Sequence, residues 1–163
     1  MNTTAHRHRM LLPALVIMMI TAAGTTSCDS NQSNVSASDP RLQGTFTLYR
    51  LDGDRYPGDP VPEGAVLMHG WPILQSCPID STATRQELIQ ALDDGIANGG
   101  GVPVDCFNPR HAIRIEAGDT TTDYMICFQC SNYDIWTNDR KTGGGLMSSS
   151  PKSTFNRVLD RCN

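Results

Sequence analysis

The sequence predicts a single small α+β domain, an antiparallel sheet of four or five strands with two helices packed on it. Three observations carry this. Several short runs alternate apolar with polar residues between clusters of Gly, Pro, Asn and Asp, the period of half-buried strands. Two other segments repeat apolar residues every three or four positions, the period of helices. The chain has 163 residues, 39% hydrophobic and 6% aromatic, enough for one modest core behind an address segment. The expected division is 1–27 for a signal peptide, 28–40 for a disordered tether and 41–163 for the domain.

The address comes first. His6-Arg7-His8-Arg9 is a basic start, and Met10–Ile20 is an apolar run broken by Pro13. That run has the length of a signal-peptide core and falls short of the ~20 residues of a spanning helix. Ala22-Ala23-Gly24 and Ser27-Cys28 follow. This resembles a bacterial lipoprotein signal, with Thr25 standing where the family pattern has Leu. The resemblance covers residues 1–28. It implies cleavage before Cys28, lipid on Cys28, and a place on an outward-facing membrane surface of the cell envelope. Residues 29–39 are rich in Ser and Asn and suit a lipidated tether. Plain secretion or a periplasmic location, with Cys28 unmodified, is the alternative address.

Two of the 13 basic residues and none of the 17 acidic ones lie in 1–27, so the remainder carries a formal charge of −6. A mildly acidic domain lacks the clustered Lys and Arg that neutralise phosphates, and nucleic acid is not an expected partner.

Gly44–Leu51 alternates Phe46 and Leu48 with threonines and reads as a strand, ended by Asp52-Gly53-Asp54. Pro57–Gly64 is an irregular loop. A short strand is expected around Val66–Leu74, interrupted at Trp71-Pro72, with Trp71 packing at the core edge. Thr84-Arg-Gln-Glu87 is a capping-box pattern, and Leu88, Ile89, Leu92 and Ile96 give the following helix an apolar face, so a helix is expected over Thr84–Asn98. Asp93 and Asp94 read as its solvated side. Asn98-Gly99-Gly100-Gly101 follows the helix, so these glycines cap it rather than cradle a phosphate.

Chemistry-bearing side chains concentrate between Cys106 and Cys130. Ala112–Ile115 and Tyr124–Phe128 flank Gly118-Asp119, a hairpin signal. With the turn there, facing residues sum to about 237 in numbering. That register sets His111 opposite or diagonal to Cys127, and Cys106 near Cys130. Three readings stay open. In the first, Cys106–Cys130 is a structural disulfide, Cys77–Cys162 a second bridge and Cys127 a buried thiol. In the second, Cys106, His111, Cys127 and Cys130 hold zinc, which requires the strand to break at Phe128 so that both sulfurs converge. In the third, Cys127-Phe-Gln-Cys130 exchanges thiol and disulfide, although no helix follows it.

Arg110 and Arg114 share a strand face beside His111, fit for an anion or for pairing with Asp123 or Glu116. His111 has no nucleophile and orienting acid fixed beside it, so no catalytic residue is assigned. Lys141–Gly145 reads as a flexible loop. Ser150-Pro151 opens a last helix over Pro151–Arg161, with Phe155, Val158, Leu159 and Cys162 on its docking face.

The runs CFNPRH and DYMICFQC, with the final STFNRVL, resemble uncharacterised bacterial secreted proteins over most of residues 80–163. That resemblance implies one intact domain and no activity. The expectation is an exported, membrane-tethered, non-enzymatic interaction or envelope-associated module without a cofactor. Its partner, protein or small molecule, is unspecified. The alternative is a metal-binding or thiol-redox protein using Cys106, His111, Cys127 and Cys130.

Overall fold

The computed structural model describes residues 35–55, 58–102 and 105–162. The expected signal peptide, Cys28 and the start of the tether lie outside them. The strands are β1 Thr45–Leu51, β2 Leu67–Met68, β3 Trp71–Pro78, β4 His111–Ala117, β5 Thr120–Cys127, β6 Asn132–Thr137 and β7 Arg140–Leu146; the helices are α1 Thr82–Ala97 and α2 Lys152–Asp160. The class is α+β, but the expected four or five strands are seven, in one curled antiparallel sheet ordered β2-β3-β1-β4-β5-β6-β7.

Two local features account for the difference. The single strand expected over Val66–Leu74 is a hairpin, β2 and β3, whose loop is His69-Gly70 between the paired Met68 and Trp71. Both loop residues have positive φ, 47° and 88°, the signature of a type I′ turn that matches strand twist. Histidine tolerates this region better than most side chains, and glycine enters it freely. Trp71-Pro72 therefore opens β3 rather than interrupting a strand. The other feature is Lys141–Gly145, which belongs to β7 and pairs with β6 along its length. Its glycines hide the strand because they carry no alternation. At Gly144 (φ 154°) a Cβ would fall 2.6 Å from the Tyr133 carbonyl oxygen, so close backbone approach requires glycine.

The β4–β5 hairpin keeps the expected register, from Ala117 opposite Thr120 to His111 opposite Ile126. Alternation sends Phe46, Leu48, Ile113, Ile115, Tyr124 and Ile126 to one face, where Leu88, Ile89 and Leu92 of α1 and Phe155, Val158 and Leu159 of α2 cover them. Fully burying each such side chain contributes about 1.5–3 kcal/mol against leaving it exposed. α1 starts at Thr82, earlier than expected, because Ser81 caps it by accepting from the Thr84 N–H at 3.3 Å. α2 starts after Pro151, which holds the N-cap position and supplies no side-chain bond.

The described domain also takes in residues assigned to the tether. Val35 packs on the core and its N–H donates to Gln90 Oε1 at 3.1 Å. Arg41 bridges Asp39 and Asp93 at 2.7 and 2.6 Å, so Asp93 is an anchoring carboxylate rather than a merely solvated one.

The other face is concave. The tip of the β2–β3 hairpin lies at one side of the sheet, yet His69 reaches Asp123 on β5 and stacks on Trp136 of β6. Only a sheet curled across β1 and β4 permits that contact. A second small core of Leu51, Met68, Ala112 and Met125 fills the curl, with Tyr49, Trp71, Ile73, Phe107 and Trp136 around it. Trp71 thus packs at a core edge, although the core is this second one. Among the described residues, no helix is long and apolar enough to cross a membrane.

Candidate functional site

The five cysteines among the described residues resolve into two bonded pairs and one thiol. Cys77 on β3 joins Cys162 after α2, with Cα atoms 5.7 Å apart. Cys106 joins Cys130, with Cα atoms 5.9 Å apart. Both separations lie within the ordinary disulfide range. Cys127 is a buried free cysteine. The strand does break at Phe128, because β5 ends at Cys127 and a turn carries Phe128 to Ser131, where φ is 53°. That turn brings the Cys130 N–H to 3.1 Å from Cys127 Sγ, to which it donates.

The four residues considered for zinc do not converge. Cys106 and Cys130 are bonded to each other. His111 faces Ile126 in register, so it lies on the helix-covered face, while Cys127, one residue further on, points to the other. Among the described residues, no group of three or more His, Cys, Asp or Glu is placed to hold a metal ion.

Arg110 and Arg114 have separate partners, and the expected pairing with Asp123 is made by Arg114. Arg114 grips Asp123 through two bonds, Nε and Nη2, each 2.7 Å. His69 Nε2 approaches the same carboxylate at 2.7 Å. Asp123 is only 2% exposed, so this is a buried charge satisfied by a fork and a ring nitrogen rather than a surface ion pair. The His69 ring also stacks on Trp136 with centroids 4.2 Å apart. These contacts close the hairpin over the curl. A cleft of about 420 Å³ beside it is lined by Arg55, Val61, His69 and Trp71; Arg55 Nη2 donates to the Asp59 and Pro60 carbonyls, while its Nη1 is buried without a hydrogen-bond partner among the described residues.

A second arrangement, with an unpaired acceptor rather than an unpaired donor, is around His111. A cleft of about 320 Å³ is lined by Asn108, Arg110, His111, Phe128, Gln129 and Lys152. β4 supplies His111, the turn after β5 supplies Phe128 and Gln129, and the first residue of α2 supplies Lys152. The imidazole meets Phe128 and Phe155 edge-on, with centroids 5.1 and 6.0 Å away. Its Nε2 lies 2.8 Å from Asn156 Oδ1. An amide oxygen only accepts, so Nε2 carries the hydrogen and donates; Nδ1 is left with a bare lone pair. Nδ1 is buried and has no hydrogen-bond partner.

Burial pushes the His111 pKa down from 6.5 to about 4; the Asn156 bond opposes this, and the charges of Arg50, Lys152 and Arg110 reinforce it. The ring is therefore neutral near pH 7 and offers an acceptor, not a charge. Arg110 Nη1 donates to Gln129 Oε1 at 2.6 Å, and its Nη2 is paired with Asp54. The site combines cationic walls, an aromatic floor and one unused buried acceptor.

Comparisons of the chain with protein-family models, curated proteins and solved structures gave no match.

Sequence reasoning singles out His111 and Arg110 but not Lys152 or Asn156, which reach the site from 41 and 45 residues beyond His111, on α2. The pattern that places them is present. Lys152 follows Pro151 at the helix start, and Asn156 stands beside Phe155 on the docking face. By itself that pattern signals only packing. His69 escapes notice because His-Gly is an uncommon spelling of a two-residue hairpin turn.

Proposed function

We propose that this chain is an exported binding module, tethered to the outward face of a bacterial envelope membrane through lipid on Cys28. In this reading it holds a small ligand in the His111 cleft and catalyses no reaction. One observation carries the binding function: a buried imidazole nitrogen, unpaired, on a residue that lines a solvent-open cleft. An unsatisfied buried acceptor costs about 1–3 kcal/mol, and a ligand donating to it recovers that. The cleft volume of about 320 Å³ lies at the small end of the range for ligand pockets, ~300–1,000 Å³. Export is supported by the basic, apolar and small-residue order of the first 28 residues and by two cysteine pairs at disulfide distance, which form in oxidising compartments.

Two measurements test this. In bacterial fractionation, the full-length protein should sediment with membranes and Cys28→Ser should be released outside the cytoplasm. Equal partitioning of the two removes the lipid tether, and a cytoplasmic location removes export. In a fragment screen by NMR, compounds carrying a donor should move the His111 ring resonances. A library that leaves them unmoved overturns the cleft as a binding site.

The hydrogen bond from the Cys130 N–H to Cys127 Sγ favours a second reading, thiol–disulfide exchange. In it, Cys127 attacks the Cys130 sulfur and Cys106 leaves as thiolate, with no net oxidation. Peptide mapping after incubation with a glutathione redox buffer decides it. A Cys127–Cys130 bond supports exchange, and retention of Cys106–Cys130 alone rejects it.

A further inference from the structure

We infer that the His111 cleft selects a small oxyanion that still carries a proton, of the phosphate or phosphate-monoester class. This rests on the reading of the cleft as a ligand site and specifies what enters it. Three features of the cleft point to this chemistry. Its walls bring positive charge from two directions, Arg110 before β4 and Lys152 at the start of α2. The ends of α2 differ in polarity, and the positive end is the one at Lys152, with no side-chain cap from Pro151 to satisfy it. Among the described residues that line this cleft, the side chain with a buried, unpaired polar atom is His111, and that atom, Nδ1, is an acceptor.

Charge alone would admit any anion. The bare Nδ1 narrows the choice, because a fully ionised oxyanion presents only oxygen lone pairs, which repel that of the nitrogen. An oxyanion with one O–H places acceptor oxygens toward Lys152 and Arg110 and donates its hydrogen to Nδ1. Near pH 7 phosphate always holds at least one proton, and a phosphate monoester, whose second pKa is ~6, holds one in part. Sulfate holds none. Rejection follows the general rule that a site loses most when its own buried polar group stays unpaired.

The charged groups facing His111 are consistent with this. Arg50 on β1 lies opposite it in register and is paired with Asp160 of α2. Arg110 is shared with Asp54. Burial keeps the imidazole neutral, and these cations with Lys152 reinforce it when the cleft holds no anion. A fully ionised anion can be accepted only by protonating His111 itself, so sulfate binding requires proton uptake and strengthens as pH falls.

The test is titration calorimetry on the full-length protein in a zwitterionic buffer, using inorganic phosphate, glycerol phosphate and sulfate as probes. At pH 7 phosphate should bind at least tenfold more tightly than sulfate. Between pH 7 and pH 5 sulfate affinity should rise with proton uptake while phosphate affinity changes little. Lys152→Ala, an exposed change that leaves the core intact, should weaken phosphate about tenfold. His111→Gln should abolish the preference for phosphate. If that variant does not fold, the pH series on the unaltered protein decides the same question. Tighter binding of glycerol phosphate indicates an esterified source, and exclusive binding of inorganic phosphate a free ion; both support the class.

Equal binding of sulfate and phosphate at pH 7, or phosphate binding untouched by Lys152→Ala, overturns the inference. If no anion binds but neutral donors still shift the His111 resonances, the anion class fails and the ligand site stands. If nothing shifts them, both fail.

Discussion

Removing the Asp123 carboxylate should release the hairpin that closes the concave face. In Asp123→Ala, Arg114 loses both bonds of 2.7 Å and His69 loses its 2.7 Å contact. Breaking a buried pair by deleting one partner costs about 3–5 kcal/mol, mostly from the charge left behind. Arg114 is 27% exposed and can recover part of its hydration, which argues for the lower end, about 3 kcal/mol. With a urea m-value of ~2 kcal/mol per molar, the unfolding midpoint should drop by about 1.5 M.

The assay has a convenient reporter. The chain has two tryptophans, and both, Trp71 and Trp136, border the concave core. His69→Asn is the companion change, because Asn-Gly is the preferred type I′ loop and keeps the turn while deleting the imidazole. If the cluster acts as a unit, the double variant should cost less than the sum of the singles by at least ~0.5 kcal/mol. Strict additivity, or a loss below about 1 kcal/mol in Asp123→Ala, would refute a buried electrostatic latch and leave packing as the cause of the curl.

Two further outcomes follow from the same structure. His111 binds its proton more weakly when folded, with a pKa of about 4 against 6.5. The unfolded chain therefore holds more protons between these values, and stability should be complete above pH ~6.5 and fall by up to about 3 kcal/mol as pH drops to ~4. Urea midpoints of the parent and His111→Gln across that range check it, and parallel curves reject it. The two disulfides should differ in worth, because they close loops of different length, 85 against 24 residues of separation. The chain-entropy model gives about 4.5 kcal/mol for Cys77–Cys162 and about 3.5 for Cys106–Cys130. Paired Cys→Ser variants compared by denaturation should show that order, and the reverse order overturns the loop-length argument.

How much of the fold and site is legible in the sequence depends on whether the signal is local. The β4–β5 register is readable because Gly118-Asp119 fixes a two-strand alternation on either side. The apolar stripe of α1 is readable because its period is intrinsic to a helix. β7 is not, since Gly143, Gly144 and Gly145 lack side chains and only the β6 backbone defines them as a strand. The hairpin at His69-Gly70 is obscured by Pro72, a residue that ordinarily argues against a strand interior. Of the site, His111 and Arg110 stand out because the chain places them together. Asn156 and Lys152 join them only through the docking of α2, which no local pattern specifies. The curl that sets His69 against Asp123 is likewise a property of the whole sheet.

The two disulfides sit where the His111 cleft needs support. Cys106–Cys130 ties the approach to β4, which carries Asn108 and Arg110, to the turn that carries Phe128 and Gln129. Cys77–Cys162 ties the far end of α2, whose first residue is Lys152, to β3. Every wall of the cleft other than His111 thus belongs to a segment fixed by one bridge or the other. Side chains on turns and helix ends hold a binding geometry only as well as their backbones are held. If the cleft binds the ligand proposed for it, that site depends on an oxidising compartment. A chain kept in a reducing compartment would lose the bridges that tie three of the four segments lining the cleft.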